Sequence, residues 1–274
     1  PPRSTPLYSS AASDVYKRQH LDWMQPRFLD PKSKKLVFAI QSYLVRTNRH
    51  TILIDSCIGE DKERTRFPNW NLRTNTDYLT KLATLGIAPE SVDYVLCTHL
   101  HADHVGWNTR LINGKWMPTF PNARYVFARS EHDFWRDKFA KDPRKYDDGC
   151  YQDSVLPIVE SGQATLVDSD HALDDQVWLE PSPGHTPGHV SIRVQSGNSG
   201  AVFSGDLMHN ILQCVYPDLV SRACFDKPLA RQTRQEFLDR LCDTDIRVMT
   251  AHFPSPSCGH IRRNRESYRF LYCS

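Results

Sequence analysis

The chain has 274 residues and a formal net charge of +2, with 34 basic side chains offset by 32 acidic ones. This length suits one large domain or two small ones with a stable core. The near-neutral balance gives no basic surface of the kind that binds nucleic acid or anionic membranes. No stretch approaches the ~20 consecutive apolar residues of a membrane span. We therefore expect neither a nucleic-acid nor a membrane partner.

The first nineteen residues differ from the rest in character. They show no hydrophobic periodicity and no apolar segment of the kind found in a secretory signal. The run from Ser9 to Gln19 resembles a translated sequencing adapter. We interpret residues 1–19 as foreign and residues 20–274 as a single domain. On this interpretation the true N-terminus is missing, so a lost signal peptide and a secreted or periplasmic form stay open.

Short apolar runs alternate with helical spacing along the chain. A hairpin turn is predicted at Asn113-Gly114, and Asp226 is a candidate cap for a helix at 229–241. Further helices are predicted at 76–85, ending near Gly86, and from Ser130, followed by a charged loop at 141–149. Strands are predicted at 36–40 with 43–45, 51–54, 91–97, 123–128, 164–167, 177–179, 190–194, 201–203 and 247–250. This mixture predicts an α/β protein.

The eight cysteines are scattered and form no C-x-x-C pair. In a chain of this length that spacing indicates reduced thiols rather than a disulfide framework. It favours a cytoplasmic location.

The most informative stretch is Thr98-His99-Leu100-His101-Ala102-Asp103-His104, which follows the predicted strand at 91–97. Neutral imidazole and carboxylate groups bind zinc and similar divalent ions. Four such side chains within six positions therefore indicate a metal site. Three later stretches repeat the arrangement of a short apolar strand followed by candidate ligands: Ser182 to His189, Phe203 to Asp206, and Met249 to His252.

On these residues, the sequence resembles the metallo-β-lactamase fold superfamily, whose signature H-x-H-x-D-H corresponds to His99–His104. The resemblance covers nearly the whole chain after Lys34. It implies a four-layer αββα sandwich with metals at one edge of the two sheets. Gly205 to His209, and the residues from Ala251 to Phe270, are most similar to the branch that contains methyl parathion hydrolase and lactonases.

The resemblance also implies two divalent metal ions, zinc being expected and manganese, cobalt or iron being alternatives. Each ion is expected to bind three side chains of its own, with Asp206 bridging the pair: His99, His101 and His185 for one, and Asp103, His104 and His252 for the other. Asp55 and His189 are assigned to positions behind the ligands. His185 is preferred to His189 as a ligand because the family places it at the first histidine of G-H-T-P-G-H.

The implied reaction is hydrolysis of a small carboxylic ester or lactone by a hydroxide held between the two ions. Asp103 and Asp206 would offset the metal charge. His209 is a further catalytic candidate, because many acyl-homoserine lactonases in the family have a tyrosine there that assists the substrate oxygen. The histidine weakens a direct homoserine-lactonase assignment.

Hydrolysis of organophosphate triesters is the alternative activity. Hydrolysis of β-lactams ranks below it, and a metal-binding scaffold without activity ranks last. A homodimer is favoured by the family resemblance. An apolar substrate pocket is expected to be walled by five aromatic residues: Trp107, Trp116, Phe120, Tyr216 and Phe225.

Overall fold

The computed structural model describes residues 20–143 and 149–273, with the side chain of residue 21 left out. The chain divides into two compact units. Among the described residues, we call those in 41–169 the five-stranded unit, and 20–40 with 170–273 the six-stranded unit, after their main sheets. Residues 1–19 and most of the predicted loop at 141–149 lie outside the described residues. The foreign origin of residues 1–19 and the single domain at 20–274 stay predictions.

The α-helices are short except for two. In chain order they are α1 (Leu21–Met24), α2 (Tyr78–Thr84), α3 (Ala102–Val105), α4 (Arg129–Lys141), α5 (Leu156–Glu160), α6 (Leu212–Val215) and α7 (Lys227–Leu241). Within residues 20–143 and 149–273, none of the helices is both long and apolar enough to cross a membrane.

The five-stranded unit is built on a sheet of order β1-β2-β3-β6-β7. Its strands are β1 (Tyr43–Arg46), β2 (Thr51–Ile54), β3 (Tyr94–Leu96), β6 (Arg124–Ala128) and β7 (Ala164–Val167). The first pair is antiparallel and the others are parallel. A separate hairpin joins β4 (Thr109–Ile112) to β5 (Lys115–Pro118). Asn113 and Gly114 turn it with φ of 51° and 75°, as their sequence predicts.

The six-stranded unit has the sheet order β13-β12-β11-β10-β9-β8. Its strands are β8 (Val177–Pro181), β9 (Val190–Ser196), β10 (Ser199–Phe203), β11 (Arg247–Met249), β12 (Cys258–Asn264) and β13 (Ser267–Tyr272). Its core gathers buried apolar side chains from α1, α7 and the sheet, among them Met24, Val202, Leu238 and Phe270.

Helix α7 begins at Lys227, two residues before the predicted start at 229, and directly after its predicted cap. The Asp226 carboxylate accepts the backbone N–H of Leu229 at 3.0 Å. Pro228 lies in the first turn, where its missing N–H loses no helical hydrogen bond.

The observed strands differ from the predicted ones in two respects. Residues 36–40 are not a strand: Leu36 makes one isolated bridge to Leu29, and Ala39 donates its N–H to the carbonyl of His252. Strands β12 and β13 were not predicted, although they alternate buried with partly or fully exposed residues. Ile261 and Phe270 are buried positions of this alternation. The outward-facing arginines of the two strands make the pattern hard to see in the sequence.

The topology of the six-stranded sheet brings three of its ligand segments to one edge. Strands β8 and β10 both run antiparallel to β9, and β11 runs parallel to β10. The carboxyl ends of β8, β10 and β11 therefore lie at the same edge. The segments that contain His185, Asp206 and His252 begin there.

Candidate functional site

The histidine loop, Thr98–His104, follows β3 in the five-stranded unit and is held by Asp55. Asp55 ends β2 in a left-handed conformation (φ 56°) and is 4% exposed. Its carboxylate accepts the backbone N–H of Thr98 at 2.8 Å and faces Nδ1 of His104 at 2.8 Å. We assign the Nδ1 proton of His104 to this bond. The assignment makes Nε2 the nitrogen that can bind a metal.

The first two histidines of the loop point their nitrogens at each other. The Thr98 hydroxyl donates to Asp55 at 2.9 Å and lies 3.1 Å from Nδ1 of His99. His99 Nε2 lies 2.9 Å from Nδ1 of His101. Two imidazole nitrogens directed to one point are the beginning of a metal site.

The backbone of the loop is fixed by residues that sequence reasoning missed. The Glu131 carboxylate, on α4, accepts the N–H of Leu100 at 3.0 Å and the indole N–H of Trp135 at 2.7 Å. The Trp135 ring lies edge-on to the His101 ring, 5.2 Å between centroids. Cys150 donates to the carbonyl of Leu100 at 3.3 Å. The one signal in the sequence for this arrangement is the i, i+4 spacing of Glu131 and Trp135, which places both side chains on the same face of a helix.

Helix α3 contains Asp103 and His104. Its position is fixed by a close contact between Gly106 and the loop after β2. Asp103 is buried, with Oδ1 3.8 Å from Nε2 of His104. A Cβ on Gly106 would lie 1.9 Å from the carbonyl carbon of Ile58. The backbone N–H of Gly106 donates to Cys57 at 2.7 Å. Only glycine allows this approach of the loop after β2 to α3.

Asp206 is the centre of the ligand set in the six-stranded unit. It follows β10 and is 4% exposed. Its Oδ2 lies 3.2 Å from Nε2 of His185, and its Oδ1 lies 2.8 Å from Nε2 of His252. Each carboxylate oxygen therefore faces a different histidine.

The other ring nitrogen of His252 and of His185 has a partner inside the same unit. Nδ1 of His252 lies 2.8 Å from the carbonyl oxygen of Ala39, which can only accept. Nδ1 of His185 lies 3.5 Å from Sγ of Cys224. These contacts direct both Nε2 atoms toward Asp206.

His189 is used differently from His185. Its Nε2 accepts the backbone N–H of Asp206 at 3.0 Å. Its Nδ1 lies 2.8 Å from the Ser182 hydroxyl and 3.0 Å from the Ser182 carbonyl. Both ring nitrogens therefore hold the loops that carry the ligands, which favours His185 as the ligand.

The turn that carries His185 depends on Gly184. Gly184 has φ +126°, and a Cβ there would lie 2.4 Å from the backbone nitrogen of Ala230 on α7. The carbonyls of Gly184 and His185 accept N–H groups of Asp226 and Phe225, both at 2.9 Å. The two residues just before α7 thus fix the backbone at His185.

His209 lies beside the Asp206 set. Its Nε2 is 3.2 Å from Oδ2 of Asp206, and its ring stacks on that of His252 at 5.6 Å. Burial lowers the pKa of His209 against the opposing pull of Asp206, so its neutral form is favoured. Its backbone N–H donates to Gln213 Oε1 at 2.6 Å, a support that sequence reasoning missed.

The five aromatic residues that are expected to line a substrate pocket differ in their burial and in their contacts. Trp107 is buried, stacks on Tyr78 at 5.5 Å and donates to the Thr76 hydroxyl. Trp116 lies under the Lys62 ammonium at 3.7 Å. Phe120 is fully buried, and its assignment to the pocket stays a prediction. Tyr216 packs on the core and contacts His20, while Phe225 is 60% exposed.

The donor chemistry of both sets fits divalent metal ions. The five-stranded unit offers the imidazoles of His99, His101 and His104 with the carboxylate of Asp103. The six-stranded unit offers His185 and His252 with Asp206. Nitrogen and carboxylate donors with buried supporting partners are typical of zinc sites.

Residues 36–241 match the family model described as the Metallo-beta-lactamase superfamily. The chain belongs to this superfamily. The fold class predicted from the sequence is therefore confirmed. An N-acyl homoserine lactonase from Bacillus cereus is 26% identical over 170 residues, 58% of this chain and 60% of the relative. The chain thus spans about three fifths of that relative's length.

Two solved structures of the superfamily show the same fold. The dizinc quorum-quenching lactonase AidC, solved with the product N-hexanoyl-L-homoserine, has a TM-score of 0.71 and 24% identity. That match covers 88% of this chain and 81% of AidC. The hydrolase AbOPH has a TM-score of 0.79 and 22% identity, with 99% of this chain and 92% of AbOPH covered.

Proposed function

We propose that this protein is a metal-dependent hydrolase that opens a lactone or cleaves a small carboxylic ester. In this proposal seven side chains bind two divalent ions. His99, His101 and His185 serve one ion, Asp103, His104 and His252 serve the other, and Asp206 serves both. Zinc is the ion we propose, because imidazole and carboxylate donors suit it.

The observation that carries the proposal is the orientation of Asp206. Its two oxygens face the Nε2 atoms of different histidines, His185 and His252. A carboxylate that bridges two cations offers one oxygen to each. A structural aspartate at a turn would instead accept backbone N–H groups.

Two such ions, when bound, would supply Lewis acidity that lowers the pKa of water toward ~7 and polarises a carbonyl oxygen. The chain's own residues supply orientation. Asp55 and Ala39 fix the rings of His104 and His252 through their Nδ1 atoms. His189 fixes Asp206 through its backbone N–H. Ligands held this way need little rearrangement when the substrate binds.

His209 supplies the hydrogen-bonding group that we assign to the substrate. Burial favours its neutral form, and a neutral imidazole carries one donor and one acceptor nitrogen. Its N–H can donate a hydrogen bond to the carbonyl or leaving oxygen of an ester or lactone and stabilise the negative charge that develops there. We assign Asp103 and Asp206 a second role, that of offsetting the charge of the cations.

Lactones are the first substrate class to test because the matched curated relative is an N-acyl homoserine lactonase. Phosphotriester hydrolysis is the second candidate, favoured by His209 at the position where many family lactonases have tyrosine. A small-molecule substrate, a cytoplasmic location and a homodimer complete the proposal.

The test is a turnover assay with a lactone panel, p-nitrophenyl esters and paraoxon. We expect turnover of a lactone or ester, lost in Asp206→Ala and His101→Ala and retained in the control His171→Ala. Paraoxon as the only substrate would favour the second candidate. Full activity in His101→Ala would overturn the site assignment.

A further inference from the structure

Cys258 and Cys273 face each other at the end of the ladder between β12 and β13. The backbone N–H of Cys273 donates to the carbonyl of Cys258 at 2.9 Å. The pair thereby continues the register in which Gly259 lies opposite Tyr272. The two Sγ atoms are 2.9 Å apart. Opposite residues of an antiparallel ladder have Cα atoms about 4.5–5.5 Å apart, a separation that a disulfide spans.

Both thiols lie on the outward side of this hairpin. Side chains alternate between the faces of a strand, and Gly259 and Ile261 on β12 are buried while Cys258 is partly exposed. Cys273 is also partly exposed, whereas Cys97, Cys150, Cys214 and Cys224 are buried. An oxidant in solution can therefore reach the pair without unfolding the core.

We propose that Cys258 and Cys273 are a modification site at which a low-molecular-weight disulfide, such as glutathione disulfide, forms a reversible intrachain disulfide. One cysteine thiolate attacks the oxidant, forms a mixed disulfide and releases one glutathione thiolate. The other cysteine thiolate attacks the cysteine sulfur of the mixed disulfide and releases the second glutathione. Two electrons pass to the oxidant, and the two cysteine protons end on the two glutathione thiols.

The pair is connected to the segment that contains His252. Cys258 follows Ser257, whose carbonyl accepts the backbone N–H of Thr250 at 3.0 Å and the Thr250 hydroxyl at 3.2 Å. The Ser257 hydroxyl donates to the carbonyl of Phe253 at 2.7 Å. A disulfide at Cys258 therefore tethers the loop between β11 and β12 to the last strand.

Oxidation should be slow and stabilising. Burial and the contact with Cys273 raise the pKa of Cys258 to about 12, which leaves little of the reactive thiolate at neutral pH. Closing the loop from Cys258 to Cys273 restricts the unfolded chain. For a chain of this size we expect the thermal midpoint to rise by about 5 °C.

The experiment uses the full chain, reduced with dithiothreitol and then incubated overnight with excess glutathione disulfide. Free thiols are alkylated, and the digested protein is analysed by mass spectrometry. We expect a peptide pair joined through Cys258 and Cys273, lost again on reduction. Cys258→Ser and Cys273→Ser should each abolish it and the rise in thermal midpoint. Cys242→Ser, which removes another partly exposed cysteine of the same unit, should leave both unchanged.

Two results would overturn the proposal. One is wild-type protein in which Cys258 and Cys273 are alkylated, or joined only to glutathione, after the incubation. The other is a crosslink that pairs either of them with a different cysteine. Both are read from wild-type protein, so the test stands even if a serine variant folds poorly.

Discussion

Single residues behind the proposed ligands contact one ring nitrogen of each histidine and so orient the other. The Asp55 carboxylate contacts Nδ1 of His104, and the Ala39 carbonyl contacts Nδ1 of His252. The Thr98 hydroxyl contacts Nδ1 of His99. A histidine whose Nδ1 is occupied in this way presents Nε2 in a fixed direction. Such partners contribute to metal affinity although they never touch the metal.

The first prediction concerns Asp55. Asp55→Ala removes the acceptor for Nδ1 of His104 and for the N–H of Thr98, so zinc affinity should fall about 10–100-fold. Competition with a chromogenic chelator measures this loss. Asp93→Ala is the matched control, because Asp93 also accepts a backbone N–H, that of Thr51, away from the histidine loop. Equal zinc affinity in the two variants would refute the role of Asp55.

His209 should affect turnover and not metal content. His209→Phe keeps a ring of similar shape stacked on His252 but removes both nitrogens. We expect full metal occupancy and a fall in kcat of about 100-fold, in the range for loss of one hydrogen-bond donor to developing negative charge. Steady-state kinetics with metal analysis of the same sample gives both numbers. Loss of metal in this variant would instead make His209 a ligand.

Among the elements of the fold, the proposed ligands follow the ends of strands. Close backbone contacts hold the loops that carry them in place. The sequence predicts β3, β8, β10 and β11 with the ligands after them, because apolar runs and metal-type side chains are local signals. It does not predict that Ala39 contacts His252 or that Glu131 holds Leu100. Those contacts join positions far apart in the chain, and no local pattern encodes them. The segment 36–40 was wrongly predicted as a strand, because its backbone bonds go to two different segments, at Leu29 and His252, and form no continuous ladder.

Gly184 provides a test at this scale. Gly184→Ala places a Cβ against the backbone of Ala230 at a positive φ, and should lower the free energy of unfolding by about 2–4 kcal/mol. Gly197→Ala is matched in having a positive φ (55°), but nothing lies within 4 Å of its Cβ position. It should lose only about 1 kcal/mol. Urea unfolding compares the two, and equal losses would contradict the close contact.

A buried charge network in the five-stranded unit predicts a pH dependence. Lys62 is 1% exposed and lies 3.5 Å from Asp153, which Arg64 contacts at 2.7 Å. Burial lowers the pKa of Lys62 from 10.5 to about 8. Between these values the unfolded chain binds a proton that the folded chain does not, so this contribution to stability rises with pH.

Lys62→Met removes that contribution. The free energy of unfolding of wild-type protein, minus that of the variant, should increase by about 3 kcal/mol from pH 8 to 10.5 and stay constant below pH 8. Denaturant titrations at several pH values measure it. The exposed Lys115→Met serves as control and should show a constant difference. A flat profile for Lys62→Met would mean that the lysine is not desolvated.

At the scale of the whole molecule, the sequence identifies the superfamily because its metal ligands lie in recognisable motifs. The composition of the chain says little about activity beyond excluding a basic surface. The side chains that we propose for the substrate, such as His209, Trp107 and Tyr216, belong to no motif. One measurement can decide whether the proposed ligands bind two metal ions.

That measurement is the metal content of purified protein by mass spectrometry after dialysis against zinc and then metal-free buffer. Wild-type protein and His171→Ala should retain about two zinc ions per chain. Asp206→Ala, which removes the carboxylate facing both His185 and His252, should retain one or fewer. Wild-type protein with about one ion per chain or fewer, or Asp206→Ala with two, would contradict the proposed dinuclear site.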